Sequence, residues 1–131
     1  IHQPEHMPWV GFFHKINMAD VYVVLDNIQY RRRYFQNRNK IRTKEGWHWV
    51  IVPLMKDRRD ELLIKDARVY NEDTEWKKDN LETVYQSYCK AKYFKNYWDE
   101  FRDIYNKEYV HLVDLNLALI KLLFKKGIPC Y

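Results

Sequence analysis

The sequence predicts an α/β protein: a parallel-strand, Rossmann-like N-terminal unit, then a β-hairpin, then a helical half. Three observations predict it. Residues 8–19 have helical spacing and run into Val-Tyr-Val-Val-Leu at 21–25, an unbroken apolar run of the kind that forms a strand covered on both faces of a parallel sheet. Two strand-like stretches, 40–43 and 47–54, flank a Lys44-Glu45-Gly46 turn. From about residue 72 onward, apolar and aromatic residues recur at intervals of three and four.

Pro8 can open the first helix because a first-turn residue has no intrahelical use for an N–H, and Phe12, Ile16 and Ala19 then share a face. Asp20 closes it. With Ile1 read as the end of a preceding strand, the order strand, loop, helix, strand makes a right-handed crossover. Residues 26–42 are polar. Arg31, Arg32, Arg33, Arg38, Lys40 and Arg42 alternate there with Tyr30, Tyr34 and Phe35, which reads as a long, partly extended functional loop. Gly46 supplies the left-handed position of the hairpin turn. Residues 62–69 read as a further strand. Helices follow over about 72–92, 94–107 and 112–124. The second is the most amphipathic, through Phe94, Tyr97, Trp98, Phe101, Ile104 and Tyr105. The third is apolar nearly all round, with Asp114, Lys121 and Lys125 on one narrow stripe, so it is expected at the centre, with Gly127 as its stop.

With 131 residues, 47% hydrophobic and 17% aromatic, the chain can bury a core of its own, and that aromatic content excludes disorder despite 31% charged residues. No apolar run approaches the ~20 residues that cross a bilayer, and no leader opens the chain, which places it in the cytoplasm. Cys89 and Cys130 stand far apart without metal-ligand spacing, so neither a disulfide framework nor a zinc ribbon is expected. The chain opens at Ile1 without Met, and 128–131 follow Gly127 like the start of another strand. Residues 1–131 are therefore read as a single domain forming the N-terminal part of a longer chain. A net charge of +5 and a pI near 9.1 favour anionic partners.

The loop from Gln3 to Gly11 follows a parallel strand and opens a helix, which is where anions and nucleotides bind. Gln3, Trp9 and Gly11 are its binding candidates. The alternative is that Pro4, Pro8 and Gly11 only shape a tight crossover, with Trp9 and Phe12 as core. His2 at the tip of the first strand and Asp26 at the end of the second are the acid–base candidates, with Gln29 beside Asp26. Asp26 serves equally as the cap of a turn. Gln36, Asn37 and Arg38 carry directional donors suited to an anionic or hydroxyl-rich ligand. Parallel pairing would bring Gln3, Asp26, Gln36 and Arg38 into one pocket. His2, His6 and His14 lack metal-site geometry because Pro4 and Pro8 block helical spacing, so no metal is expected. Asn116, on an apolar helix face, is expected to pin a neighbouring loop.

Several blocks carry a resemblance. His2-Gln3-Pro4-Glu5-His6-Met7-Pro8-Trp9-Val10-Gly11-Phe12-Phe13-His14-Lys15-Ile16, with Ala19-Asp20, Val24-Leu25-Asp26 and Gln29-Tyr30, resembles the opening of the WbqC-like family. Gln36-Asn37-Arg38-Asn39-Lys40-Ile41 with Trp47, Trp49 and Val52-Pro53 is similar to its second block, and Gln86-Ser87-Tyr88 with Ala91, Tyr93 and Phe94 to its third. Leu115-Asn116-Leu117-Ala118-Leu119-Ile120 with Gly127-Ile128 resembles the fourth. Lys78-Asp79 departs from the family, which commonly shows a basic residue and a histidine there. The resemblance implies a role in bacterial surface-polysaccharide biosynthesis, of the O-antigen and lipopolysaccharide type. It points to a transferase acting on a nucleotide-activated or phosphorylated sugar, or on its substituent, and it names no cofactor. A more distant likeness joins the opening unit to the nucleotidylyltransferase superfamily, but Trp9-Val10-Gly11-Phe12 stands where that superfamily has His-x-Gly-His. The rival reading is a non-enzymatic module binding nucleic acid or other glycan-assembly components. Against nucleic acid, no RRM, KH or OB signature is present and the basic residues cluster in one loop.

Overall fold

The computed structural model describes residues 1–57 and 61–125. The expectations placed on Gly127 and on 128–131 lie outside the described residues. Within them the protein mixes helix and sheet. Helix α1 (Val10–Asn17) is followed by an antiparallel hairpin of β1 (Arg38–Thr43) and β2 (Gly46–Ile51), a 3-10 turn (Ile64–Asp66), and helices α2 (Glu75–Tyr88), α3 (Phe94–Asn106) and α4 (Leu112–Lys125).

The central position expected of α4 is what the structure shows. Leu112, Val113, Leu115, Asn116, Leu119, Ile120 and Leu122 are buried, while Asp114, Lys121 and Lys125 face solvent. Leu112, Leu115 and Leu119 join Val52, Ala67, Val69, Leu81 and Tyr105 in the main core, and Ile120 packs separately against Phe12 and Phe13 of α1. One helix therefore holds both the N-terminal segment and the α2–α3 layer.

The hairpin pairs Arg38 with Ile51 and Thr43 with Gly46, around a two-residue tip of Lys44 and Glu45. Gly46 has φ +122°, a left-handed value that L side chains avoid, as expected of it. Strand β2 stops at Ile51 rather than reaching residue 54. Val52 N–H instead donates to Asn37 O at 2.8 Å, and Pro53 has no N–H to continue the ladder.

The parallel-strand unit is corrected most. Pairing between the N-terminus and residues 21–25 is parallel, but it amounts to an isolated bridge of His2 with Val24, made by His2 N–H to Val23 O (3.1 Å) and Leu25 N–H to His2 O (3.0 Å). The segment is not buried on both faces. Val21 is 71% exposed and Val23 47%, while Tyr22, Val24 and Leu25 are half-buried. A β-branched run fits a strand covered on one side or both, and only a second packed layer separates the two. Residues 62–69 also differ from expectation. Instead of a strand they form the 3-10 turn, with isolated bridges from Leu63 to Gln29, Val69 to Leu54 and Arg68 to His111. Ile64 and Ala67, fully buried beneath α4, reward a compact turn over an extended one.

Candidate functional site

The N-terminal segment is held by side chains from far along the chain. Asn116, fully buried in α4, donates through Nδ2 to Pro4 O (3.0 Å) and to Gln36 O (2.7 Å). Two carbonyls can only accept, so the amide orientation is set and Asn116 Oδ1 is left as an acceptor. His6 Nδ1, 2.9 Å from that oxygen, must then carry the proton. In the neutral ring Nε2 accepts, here from Tyr105 O–H at 3.1 Å, and the Tyr105 oxygen accepts from Asn80 Nδ2 at 3.0 Å. Burial pushes the His6 pKa down to about 4 against a smaller opposing effect of the Asn116 bond, and it pushes the Tyr105 phenol up. The whole line is thus neutral and directional. It gives Asn116 the loop-pinning role expected of it.

Gln3 and Gln36 do meet. Gln36, fully buried, donates through Nε2 to Gln3 Oε1 at 2.7 Å and accepts from Arg31 N–H at 2.8 Å. Asn37 Nδ2 donates to Val52 O at 2.9 Å. Arg38 donates to Arg33 O and lays its guanidinium 4.3 Å from the centre of the Trp49 ring. Arg33 takes φ +62°, and the Arg38 contact braces that turn. Asn37 Oδ1 and Arg38 Nε are buried without a hydrogen-bond partner, so these two neighbours keep unspent bonding capacity. Asp26 is half-buried, and its backbone oxygen accepts from Lys65 N–H at 2.9 Å. Gln29 is an exposed residue at the bridge to Leu63. Trp9 is 67% exposed and folds its indole over Gly11, where a Cβ would run into the six-membered ring. In this structure Gly11 makes room for Trp9.

His2 lies at a cavity of about 100 Å³ whose lining includes Phe12, Lys15, Ile16, Val21 and Tyr22. Its Nδ1 is 2.9 Å from Gln3 O, which can only accept, so the neutral ring carries its proton on Nδ1 and presents a lone pair on Nε2. The ring stands edge-on to Phe12 at 4.9 Å. The reading of the sequence passed over Glu5. This buried carboxyl interacts electrostatically with His2, Lys15 and Tyr22. Burial raises its pKa, and electrostatic interaction with His2 and Lys15 pulls it part of the way back. Burial, with the Glu5 charge adding to it, lifts the Tyr22 phenol to about 12. The available signal was a lone carboxylate between Pro4 and Pro8, in the very loop read as a site. Among the described residues no three His, Cys, Asp or Glu side chains are placed to hold a metal ion, and no helix is long and apolar enough to cross a membrane.

The model of the WbqC-like protein family matches residues 3–126. The chain belongs to the WbqC-like protein family. It is also similar to the uncharacterized protein Rv1507c of Mycobacterium tuberculosis (strain ATCC 25618 / H37Rv), at 30% identity over 119 residues, which are 90% of this chain and 51% of that protein. The chain thus spans about half the length of the curated relative it matches. No solved structure matches it significantly. In this WbqC-like chain three of the four resemblance blocks converge physically: Pro4 and His6 from the first, Gln36 from the second and Asn116 from the fourth share one set of hydrogen bonds.

Proposed function

We propose that this chain works in surface-polysaccharide assembly as a transferase acting on a nucleotide-activated or phosphorylated sugar, or on a substituent of one. The observation that carries the reading is the cavity lined by His2 and Lys15, together with the buried Glu5 carboxyl, its proton affinity raised by burial and its charge felt by both side chains. Family membership supplies the context. In such a transfer an acceptor O–H or N–H attacks the electrophilic carbon. The proton passes to Glu5 or to His2 Nε2 as the new bond forms, and the departing oxygen takes the bonding electrons toward the Lys15 ammonium. Asp26 remains a second acid–base candidate.

Size narrows the chemistry. The cavity of about 100 Å³ is well below the ~300–1,000 Å³ typical of small-molecule sites. It admits a reacting group, such as a small substituent or one edge of a sugar ring, and leaves a nucleotide outside.

The test is a thermal-shift panel of uridine and deoxythymidine diphosphates, their sugar derivatives and sugar 1-phosphates against the full-length protein, followed by mass analysis of any turnover. At least one ligand should raise the melting temperature of the wild type, with the shift cut in Lys15→Ala and turnover lost in Glu5→Gln. A ligand whose shift and turnover survive both substitutions would overturn the assignment.

A further inference from the structure

The solvent face of the hairpin has a composition unlike the rest of the surface. By the strand register, β1 places Arg38, Lys40 and Arg42 on it, opposite Ile51, Trp49 and Trp47 of β2. The other face turns Ile41 and Val50 into the core. Lys40 Nζ sits 3.9 Å from the centre of the Trp47 ring and 5.1 Å from that of Trp49, and Arg38 Cζ sits 4.3 Å from Trp49. These are cation–π distances, so the charges are held in place before any ligand arrives. The aromatic row continues beyond the strands, with Trp47–Trp49, Trp49–Phe35 and Phe35–Tyr34 centroids 6.0, 6.2 and 5.5 Å apart. Exposed Arg31, Arg32 and Arg33 flank it. The ion pairs of Arg102 with Asp99 and Asp103, and of His111 with Asp114, lie elsewhere.

We propose that this face binds single-stranded nucleic acid laid along β1. Alternate strand residues are about 6.8 Å apart, so the three cations repeat at a spacing close to that of successive phosphates on an extended nucleotide chain. Trp47, 61% exposed, has ring surface left for a base to stack on. A lipid surface fits less well, because Lys40 lies over both the Trp47 and the Trp49 ring, so a bilayer that took up the indoles would have to bury its charge. The sequence predicts this strand from Lys40; the structure begins it at Arg38. The structure puts Arg38, Lys40 and Arg42 on a strand, where their spacing is regular.

The experiment is fluorescence anisotropy of labelled 12-nucleotide oligo(dT) and oligo(rU) with the full-length protein at 50 and 200 mM salt. Three phosphate contacts give a slope of log K against log salt of about −2, hence roughly twentyfold weaker binding across that range. Lys40→Ala and Arg42→Ala should each flatten the slope by about 0.7, and Trp47→Ala should weaken binding about tenfold at an unchanged slope. All three side chains are exposed, so melting temperatures should hold. No binding at 50 mM salt, indifference to Lys40→Ala and Arg42→Ala, or equal binding to polygalacturonate or phosphatidylserine vesicles would overturn the proposal.

Discussion

His6 Nδ1 stands 2.9 Å from Asn116 Oδ1, joining residues 110 positions apart in a site neither can leave without stranding a polar group. Asn116 also supplies the hydrogens that Pro4 O and Gln36 O accept. Asn116→Leu would therefore leave three buried groups unpaired, each costing ~1–3 kcal/mol, and the expected loss of stability is about 4 kcal/mol. Urea unfolding measures it. A loss below about 1 kcal/mol would show that water replaces the amide.

Stability should fall with acid over a defined window. The His6 pKa is lowered from 6.5 to about 4, so between those values the unfolded chain binds a proton that the folded chain refuses. Stability is fully present above pH 6.5 and declines as the pH falls toward 4, by roughly 3 kcal/mol in all. Melting temperature against pH tests this, and nitrogen NMR of the imidazole should find the proton on Nδ1 at pH 7.

Glu5 has the opposite sign. Its folded pKa is raised above 4.5, so the folded chain holds the proton more tightly, and the stability this confers is present at low pH and lost as the pH rises through the raised value. Glu5→Gln should then melt higher than wild type at pH 7, with the advantage vanishing well below pH 4.5. A variant that is more stable and also inactive would mark a residue kept for chemistry rather than for folding. Equal melting curves at pH 7 would remove the electrostatic basis of the site.

Arg38 braces the turn at Arg33 through its carbonyl, so its loss should be felt locally. Arg38→Ala is expected to cost about 1 kcal/mol of global stability while speeding tryptic cleavage after Arg31, Arg32 and Arg33 severalfold. Unchanged cleavage would mean that Gln36, which holds Arg31 N–H, orders the loop alone.

The sequence by itself determined the local elements. Helical periodicity placed α3 and α4, Gly46 marked the hairpin turn, and an apolar surface nearly all round α4 predicted its central place. Each depends on neighbours within a few residues, where backbone geometry and side-chain period act directly. Asn116 was also legible as a buried amide that demands partners, and Gln3 and Gln36 as candidates to bind a ligand, but the hydrogen bonds they make to one another and to the backbone were not. Tertiary structure alone decided that Val21 and Val23 lack a covering layer, that 62–69 turns beneath α4, and that Gln36 spends its amide on Gln3 and Arg31. It alone buried Glu5 within electrostatic range of His2 and Lys15. Burial and electrostatic coupling depend on which distant segment fills the space around a group. No local pattern records that for contacts spanning 80 to 112 residues, such as those of Asn116 with Gln36 and Pro4.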